Sequence, residues 1–235
     1  MKKYTDLFLD LDDTLYDTYG NAMIALKEIF ESFHLEVYAG DFDTFVQHYW
    51  RSNTKIWNQY AHGKITRDQL DQQRFMNPLS ELSDVPPQEA FCMEVNEAFL
   101  NLCVVQKGLI EGAVHLLENL REKGYRMHIC SNGVRKNQII KMTSSGLIGY
   151  FDTIITSDDV GIAKPAIAFW QYALQQTGAN SKNTLMIGDN YETDILGAQS
   201  VGIDGMLFNR WQKDFIPPKP VAFVVNELKE IEHIL

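Results

Sequence analysis

Apolar residues along this chain fall into short runs, and amphipathic stretches with helical periodicity separate them. The runs are "DLFLDLD" near the start, "YRMHICS" (125–131), "DTIITS" (152–157), "TLMIGD" (184–189), "IDGMLFN" (203–209) and "VAFVVN" (221–226). Each is rich in Val, Ile, Leu or Met and is bounded by Gly, Asn or Asp, the pattern of parallel strands buried on both faces. "GAVHLLENLREKG", "KNQIIKMTSSG", "PAIAFWQYALQQTG" and "ETDILGAQSVG" lie between them and read as helices. Most of these stop at a glycine, as helix C-termini commonly do. Strands alternating with helices predict an α/β fold, a doubly wound parallel sheet.

One segment breaks the alternation. From about Thr18 to Gln106 no strand pattern is convincing. "NAMIALKEIFESF", "DFDTFVQHYWRSNTKIWNQYAHG", "TRDQLDQQRFM" and "PQEAFCMEVNEAFLNLC" read as helices, with "LSDVPPQ" (82–88) as a loop between two of them. The expected organisation is a core of 1–16 and 107–235 carrying an α-helical insertion, 17–106, between its first and second strands.

The 235 residues suffice for one large domain with a smaller inserted one. The net charge is −10 and the pI about 5.0. Such a chain has no general attraction for nucleic acid polymers or anionic membranes. An anionic substrate therefore needs local help from a metal or a few placed cations. Cys92, Cys103 and Cys130 show no paired or zinc-type spacing, which fits reduced thiols and a cytoplasmic setting. "MKKYTDLFLD" turns acidic within ten residues and reads as neither a signal peptide nor a membrane span.

Four polar signals fall at or just beyond the C-terminal ends of predicted strands, where open α/β sheets place their ligands. The first is Asp10-Leu11-Asp12-Asp13-Thr14. Residues two apart on a strand point the same way, so Asp10 and Asp12 make a pair. The second is Ser131-Asn132-Gly133, a hydroxyl followed by backbone N–H groups of the kind that hold a phosphate. The third is Lys164-Pro165, with the proline suited to a first helical position. The fourth is Gly188-Asp189 followed by Asp194 at a helix start. Taken alone, each has an ordinary reading: a polar strand exit, a turn, a solvated lysine, a dipole partner.

Taken in order, the four signals resemble the motifs of the haloacid dehalogenase-like hydrolase superfamily, and the resemblance spans the core almost end to end. It implies a Rossmann-like core with a helical cap, Mg²⁺ and phosphoryl transfer, with the 17–106 insertion as the cap. By position, Asp10 is the expected nucleophile, forming an aspartyl-phosphate. Asp12 is the expected acid and then base, a division that needs one ionised and one protonated carboxyl. Asp10, the backbone carbonyl of Asp12, and Asp189 are the expected Mg²⁺ ligands, with Asp194 orienting that shell. Ser131, Asn132, Gly133 and Lys164 are expected around the phosphate. Thr14 is expected to support the loop, and Asp13 and Asp17 to have no direct role. Because the dehalogenases of this superfamily lack the second aspartate, Asp12 favours a phosphatase over a carbon–halogen hydrolase.

Within the insertion, 49–75 and the downstream "VGIAKP" and "GDNYETDILGA" look most like house-cleaning pyrimidine 5′-nucleotidases. The implied partner is a small phosphorylated metabolite, a nucleoside monophosphate first, for a monomer or homodimer. Alternatives are a sugar-phosphate or phosphoglycolate phosphatase, a phosphomutase, and a phosphate-sensing or interaction protein without turnover. Trp50 and Trp57, seven apart, read as a helix-packing stripe, with base stacking the functional alternative. Tyr16 is expected near the substrate path, and Arg51, Arg67 and Arg74 on the surface. Cys130 and His128 are expected to be packed strand residues.

Overall fold

Leu7, Phe8 and Leu9 of β1 (Asp6–Leu9) are fully buried, so this strand is covered on both faces, as its unbroken apolar run requires. The computed structural model describes residues 3–211, 214 and 217–235; residues 1, 2, 212, 213, 215 and 216 of the expected core lie outside them. After β1 the chain forms α1 (Thr18–Ser32), α2 (Glu36–Ala39), α3 (Phe42–Ala61), α4 (Arg67–Leu82) and α5 (Glu89–Val104). The alternating part follows: α6 (Ala113–Glu122), β2 (Arg126–Ser131), α7 (Arg135–Ser144), β3 (Thr153–Thr156), α8 (Ser157–Val160), α9 (Ile167–Thr177) and β4 (Thr184–Gly188). A π-helical turn (Tyr191–Leu196) leads into α10 (Gly197–Gln199), then β5 (Asp204–Phe208), β6 (Phe223–Val225) and α11 (Leu228–Ile234).

The six strands form one parallel sheet in the order β3-β2-β1-β4-β5-β6. This is the doubly wound, Rossmann-like order, which reverses direction beside β1. Register places Leu9 opposite both Ile129 and Ile187, so β1, β2 and β4 end side by side. Leu7, Leu9, Ile129 and Ile187 belong to one core cluster, and Phe8, Cys130 and Met186 to another. These are the two faces of the sheet, separated by the period-two alternation of strand side chains.

Met1–Thr18 with Lys107–Leu235 form one compact unit, and Tyr19–Gln106 a second. The second unit is helical and has its own aromatic core. Tyr49, Phe75 and Phe99 pack with ring centroids 5.4–5.6 Å apart, beside Leu26, Ile29 and Val95. Its helix starts are encoded locally. Asp41 caps α3 by accepting from Thr44 N, and Thr66 and Gln69 form a reciprocal capping box on α4. No helix among the described residues is long and apolar enough to cross a membrane.

Candidate active site

Three carboxylates converge at the ends of adjacent strands. Asp10 follows β1, Asp189 follows β4, and Asp194 sits in the π-helical turn. Each offers an oxygen within 4.8 Å of the others. Gly188 makes this possible, because a Cβ there would lie 2.3 Å from Asp194 Oδ2. The turn itself is held by Asn190, whose side chain accepts from Glu192 N and Thr193 N while its own N–H donates to Asp194 Oδ2 at 3.1 Å. Asp194 therefore lies in a π-helical turn, a form concentrated at functional sites, instead of the ordinary helix start expected. Thr14 joins two of the acids: its hydroxyl accepts from Asp189 N at 3.1 Å and lies 3.5 Å from Asp10 Oδ2.

Lys164 reaches two of these acids. Its ammonium, 2% exposed, donates to Asp10 Oδ1 at 2.7 Å, Asp194 Oδ1 at 2.6 Å and the Cys130 carbonyl at 2.7 Å. Burial opposes its charge, but Asp10 and Asp194 outweigh that and hold its pKa above the ordinary lysine value. Burial and the neighbouring carboxylates push Asp10 up to about 7 despite Lys164. Asp189 is raised well above the ordinary carboxylate range by burial, Asp10 and Asp194. When all three are ionised, three carboxylates against one ammonium leave two negative charges, and oxygen donors are what a hard divalent cation takes. The residues fit such an ion.

Lys164 owes its placement to Asn132, whose side chain brackets the lysine's backbone. Asn132 Oδ1 accepts from Lys164 N at 2.7 Å, and its Nδ2 donates to Lys164 O at 3.0 Å. The Asn132 carbonyl in turn accepts from Ser157 Oγ at 3.0 Å. Pro165 precedes α9, which begins only at Ile167, so it is not the first helical residue expected; the Lys164–Pro165 bond is cis.

The Asp12 side chain lies outside the three-carboxylate group. Its Oδ1 accepts from Thr18 Oγ1 at 2.6 Å and from Lys141 Nζ at 2.5 Å, and its Oδ2 from Gln138 Nε2 at 2.5 Å. Burial would raise its pKa, but Lys141 and these hydrogen bonds hold it below the ordinary carboxylate value. The side chains alone therefore raise Asp10 and depress Asp12, the reverse of the expected ionised nucleophile and protonated acid. A cation among Asp10, Asp189 and Asp194 favours their ionised forms and corrects the first half of that order.

Ser131 Oγ accepts from Gly133 N at 3.0 Å and from Gln138 Nε2 at 2.6 Å. The glycine at 133 has a reason beyond its N–H: a Cβ there would lie 2.2 Å from Gln138 Nε2. Tyr16, expected near the substrate path, is a buried residue. It is 1% exposed, packed in the core cluster with Leu11 and Leu15, with Lys141 Nζ 5.2 Å from its ring centre. Asp13 and Asp17, expected to be ordinary, both pair with Arg210 beyond β5, and Asp13 adopts a left-handed φ of 57°. Arg74 is not on the surface; it is buried and donates to Asn96 Oδ1 at 2.6 Å. Arg51 is exposed and pairs with Glu81. Trp50 packs against the second unit's core and stacks on Tyr19 at 4.8 Å, whereas Trp57 meets Tyr60 and Arg67. Burial pushes the Cys130 thiol up and the His128 imidazole down, consistent with packed strand residues.

Gln138, Lys141, Arg210 and Asn190 are the site residues that sequence reasoning missed. A signal existed for the first two: they are three apart on a helix that leaves the Ser131 motif, so they share a face.

A family model described as haloacid dehalogenase-like hydrolase matches residues 7–208. The chain is 30% identical to the putative HAD-hydrolase YfnB of Bacillus subtilis (strain 168), over 100% of this chain and 97% of that one. The structure of YfnB bound to magnesium superimposes with a TM-score of 0.89, covering 100% of this chain and 99% of that one. Pyrimidine 5′-nucleotidase YjjG of Escherichia coli (strain K12) is 32% identical over 99% of this chain and 98% of its own. Glyceraldehyde 3-phosphate phosphatase of Methanothermobacter thermautotrophicus (strain ATCC 29096 / DSM 1053 / JCM 10044 / NBRC 100330 / Delta H) is 26% identical over 97% of this chain and 98% of its own.

Proposed function

The chain belongs to the haloacid dehalogenase-like hydrolase family, and from that premise we propose that it is a Mg²⁺-dependent phosphatase of small phosphomonoesters, nucleoside 5′-monophosphates first. The observation that carries the proposal is the meeting of Asp10 with Asp189, Asp194 and Lys164 at the strand ends, with the Asp12 side chain held separately by Lys141, Gln138 and Thr18. Asp10, Asp189 and Asp194 would hold Mg²⁺, with the Asp12 carbonyl as a further oxygen. When bound, the ion supplies charge neutralisation at the phosphate and keeps the carboxylates ionised.

An Asp10 carboxylate oxygen attacks phosphorus, and the bond from phosphorus to the ester oxygen breaks. Asp12 is ionised at rest, so a phosphomonoester that enters as its monoanion first gives Asp12 its proton; Asp12 then delivers that proton to the ester oxygen, and the product leaves as an alcohol. Asp12, now ionised, takes a proton from a water that attacks the aspartyl-phosphate; its bond to Asp10 breaks and inorganic phosphate leaves. Ser131, the backbone N–H of Asn132, and Lys164 hold the phosphate oxygens as charge builds, and Gly133, whose N–H donates to Ser131 Oγ, orients that hydroxyl. The 17–106 insertion is read as a cap that would select the leaving group.

YjjG supports nucleotides as the substrate class, and the M. thermautotrophicus enzyme supports a sugar or triose phosphate as the second reading. Phosphate release from a panel of nucleotides, sugar phosphates and phosphoglycolate separates them. Asp10→Asn is the control, and equal activity in wild type and variant refutes the role of Asp10. Loss of turnover on adding a chelator distinguishes an enzyme from a phosphate-sensing protein.

A further inference from the structure

Gln138 is completely buried, yet it is neither apolar nor fully satisfied. Its Oε1 has no hydrogen-bond partner among the described residues. A methionine or leucine would fill the same volume without stranding an acceptor, so what the amide adds here comes through its nitrogen. That nitrogen lies 2.5 Å from Asp12 Oδ2 and 2.6 Å from Ser131 Oγ, and so bridges the two. The space it occupies exists only because residue 133 is glycine. One turn along α7, Lys141 reaches the other oxygen of Asp12 at 2.5 Å, where Thr18 also donates. Asp12 is thus gripped on both oxygens, and its orientation is locked to the serine that faces the phosphate.

We propose that Gln138 is a positioning residue for proton transfer: it registers the Asp12 carboxyl against the Ser131 hydroxyl, so that the proton donor and the phosphate share one frame. This rests on the phosphatase reading above. Gln138 contacts the Asp12 carboxyl and the Ser131 hydroxyl, and the role assigned to it is to orient them. Its effect passes through Asp12, and loss of orientation alone is enough to slow a step that depends on a placed group.

The consequence depends on the leaving group. An alkoxide is a strong base and needs its proton as the ester bond breaks, whereas 4-nitrophenolate is a weak base and departs without one. Gln138→Met is therefore assayed on benzyl phosphate and 4-nitrophenyl phosphate with Mg²⁺. The expected result is a kcat/KM for benzyl phosphate that falls about tenfold or more beyond the fall for 4-nitrophenyl phosphate. Asp12→Asn shifts the same ratio in the same direction and further.

A purely structural role lowers both substrates by one factor, and an unchanged ratio overturns the proposal. Because the ratio does not depend on the folded fraction, a poorly folding variant still reports, and Gln138→Ala serves as the second variant. If Asp10→Asn keeps wild-type rates, the phosphatase reading itself has failed. If Asp10→Asn is inactive and the Gln138 ratio is that of wild type, only the present inference has failed.

Discussion

Replacing Lys164 by methionine isolates the electrostatic balance of the site. The ammonium is 2% exposed and sits 2.7 Å from Asp10 Oδ1 and 2.6 Å from Asp194 Oδ1. At an effective dielectric constant of about 20, each contact is worth about 6 kcal/mol of gross Coulomb attraction. Desolvation of the three ions offsets most of that, so the intact cluster is not strongly stabilising. Removing one partner is different. Methionine fills the space but leaves Asp10, Asp189 and Asp194 facing one another without a counter-charge, and breaking a buried pair in this way costs about 3–5 kcal/mol. For a chain of this length that is a fall in Tm of about 6–20 °C. Thermal unfolding by circular dichroism, with a chelator present, measures it. The same carboxylates without Lys164 bind a divalent cation more tightly. Millimolar Mg²⁺ should therefore raise the Tm of Lys164→Met more than that of wild type. A variant within about 2 °C of wild type in chelator, or an equal Mg²⁺ shift in the two, refutes the charge argument.

Three further outcomes follow from particular contacts. Gly188→Ala drives a methyl into Asp194 Oδ2; a Mg²⁺ titration of phosphatase activity should show an apparent affinity about 10–100-fold weaker. Arg210→Met removes one ion pair from each of Asp13 and Asp17, whose side chains are 23% and 27% exposed; the cost is about 1 kcal/mol, a loss of about 2–4 °C in Tm that shrinks at high salt. His128 is held below its ordinary pKa chiefly by burial, so between its folded and unfolded pKa values the unfolded chain binds more protons. Its share of stability is present above about pH 6.5 and is lost as pH falls below that. His128→Gln should flatten the urea-midpoint difference between pH 7.5 and 5.5, and an unchanged difference counts against this account.

The six strands and most of the helices were legible because burial on both faces leaves a local mark: an unbroken apolar run ending in Gly, Asn or Asp. Thr66 and Gln69, or Asp41 ahead of α3, show the same economy, since a helix cap is satisfied within three residues. The acids and the lysine of the site were legible for a related reason. A carboxylate at the end of a buried strand is costly without a partner, so Asp10 and Asp189 are conspicuous in the chain itself.

What the chain alone determined, then, is which side chains arrive at the strand ends: Asp10, Asp12, Ser131, Lys164, Asp189 and Asp194. The tertiary structure decided how they divide. It put Lys164 between Asp10 and Asp194, turned Asp12 away from them toward Lys141, Gln138 and Thr18, and buried Tyr16 in the core. It also drew Asp13 and Asp17 onto Arg210, nearly two hundred positions away. Backbone hydrogen bonding and burial of apolar faces act over a few residues and leave periodic traces. The pairing of charges depends on distances across the folded sheet, and no local pattern records those distances.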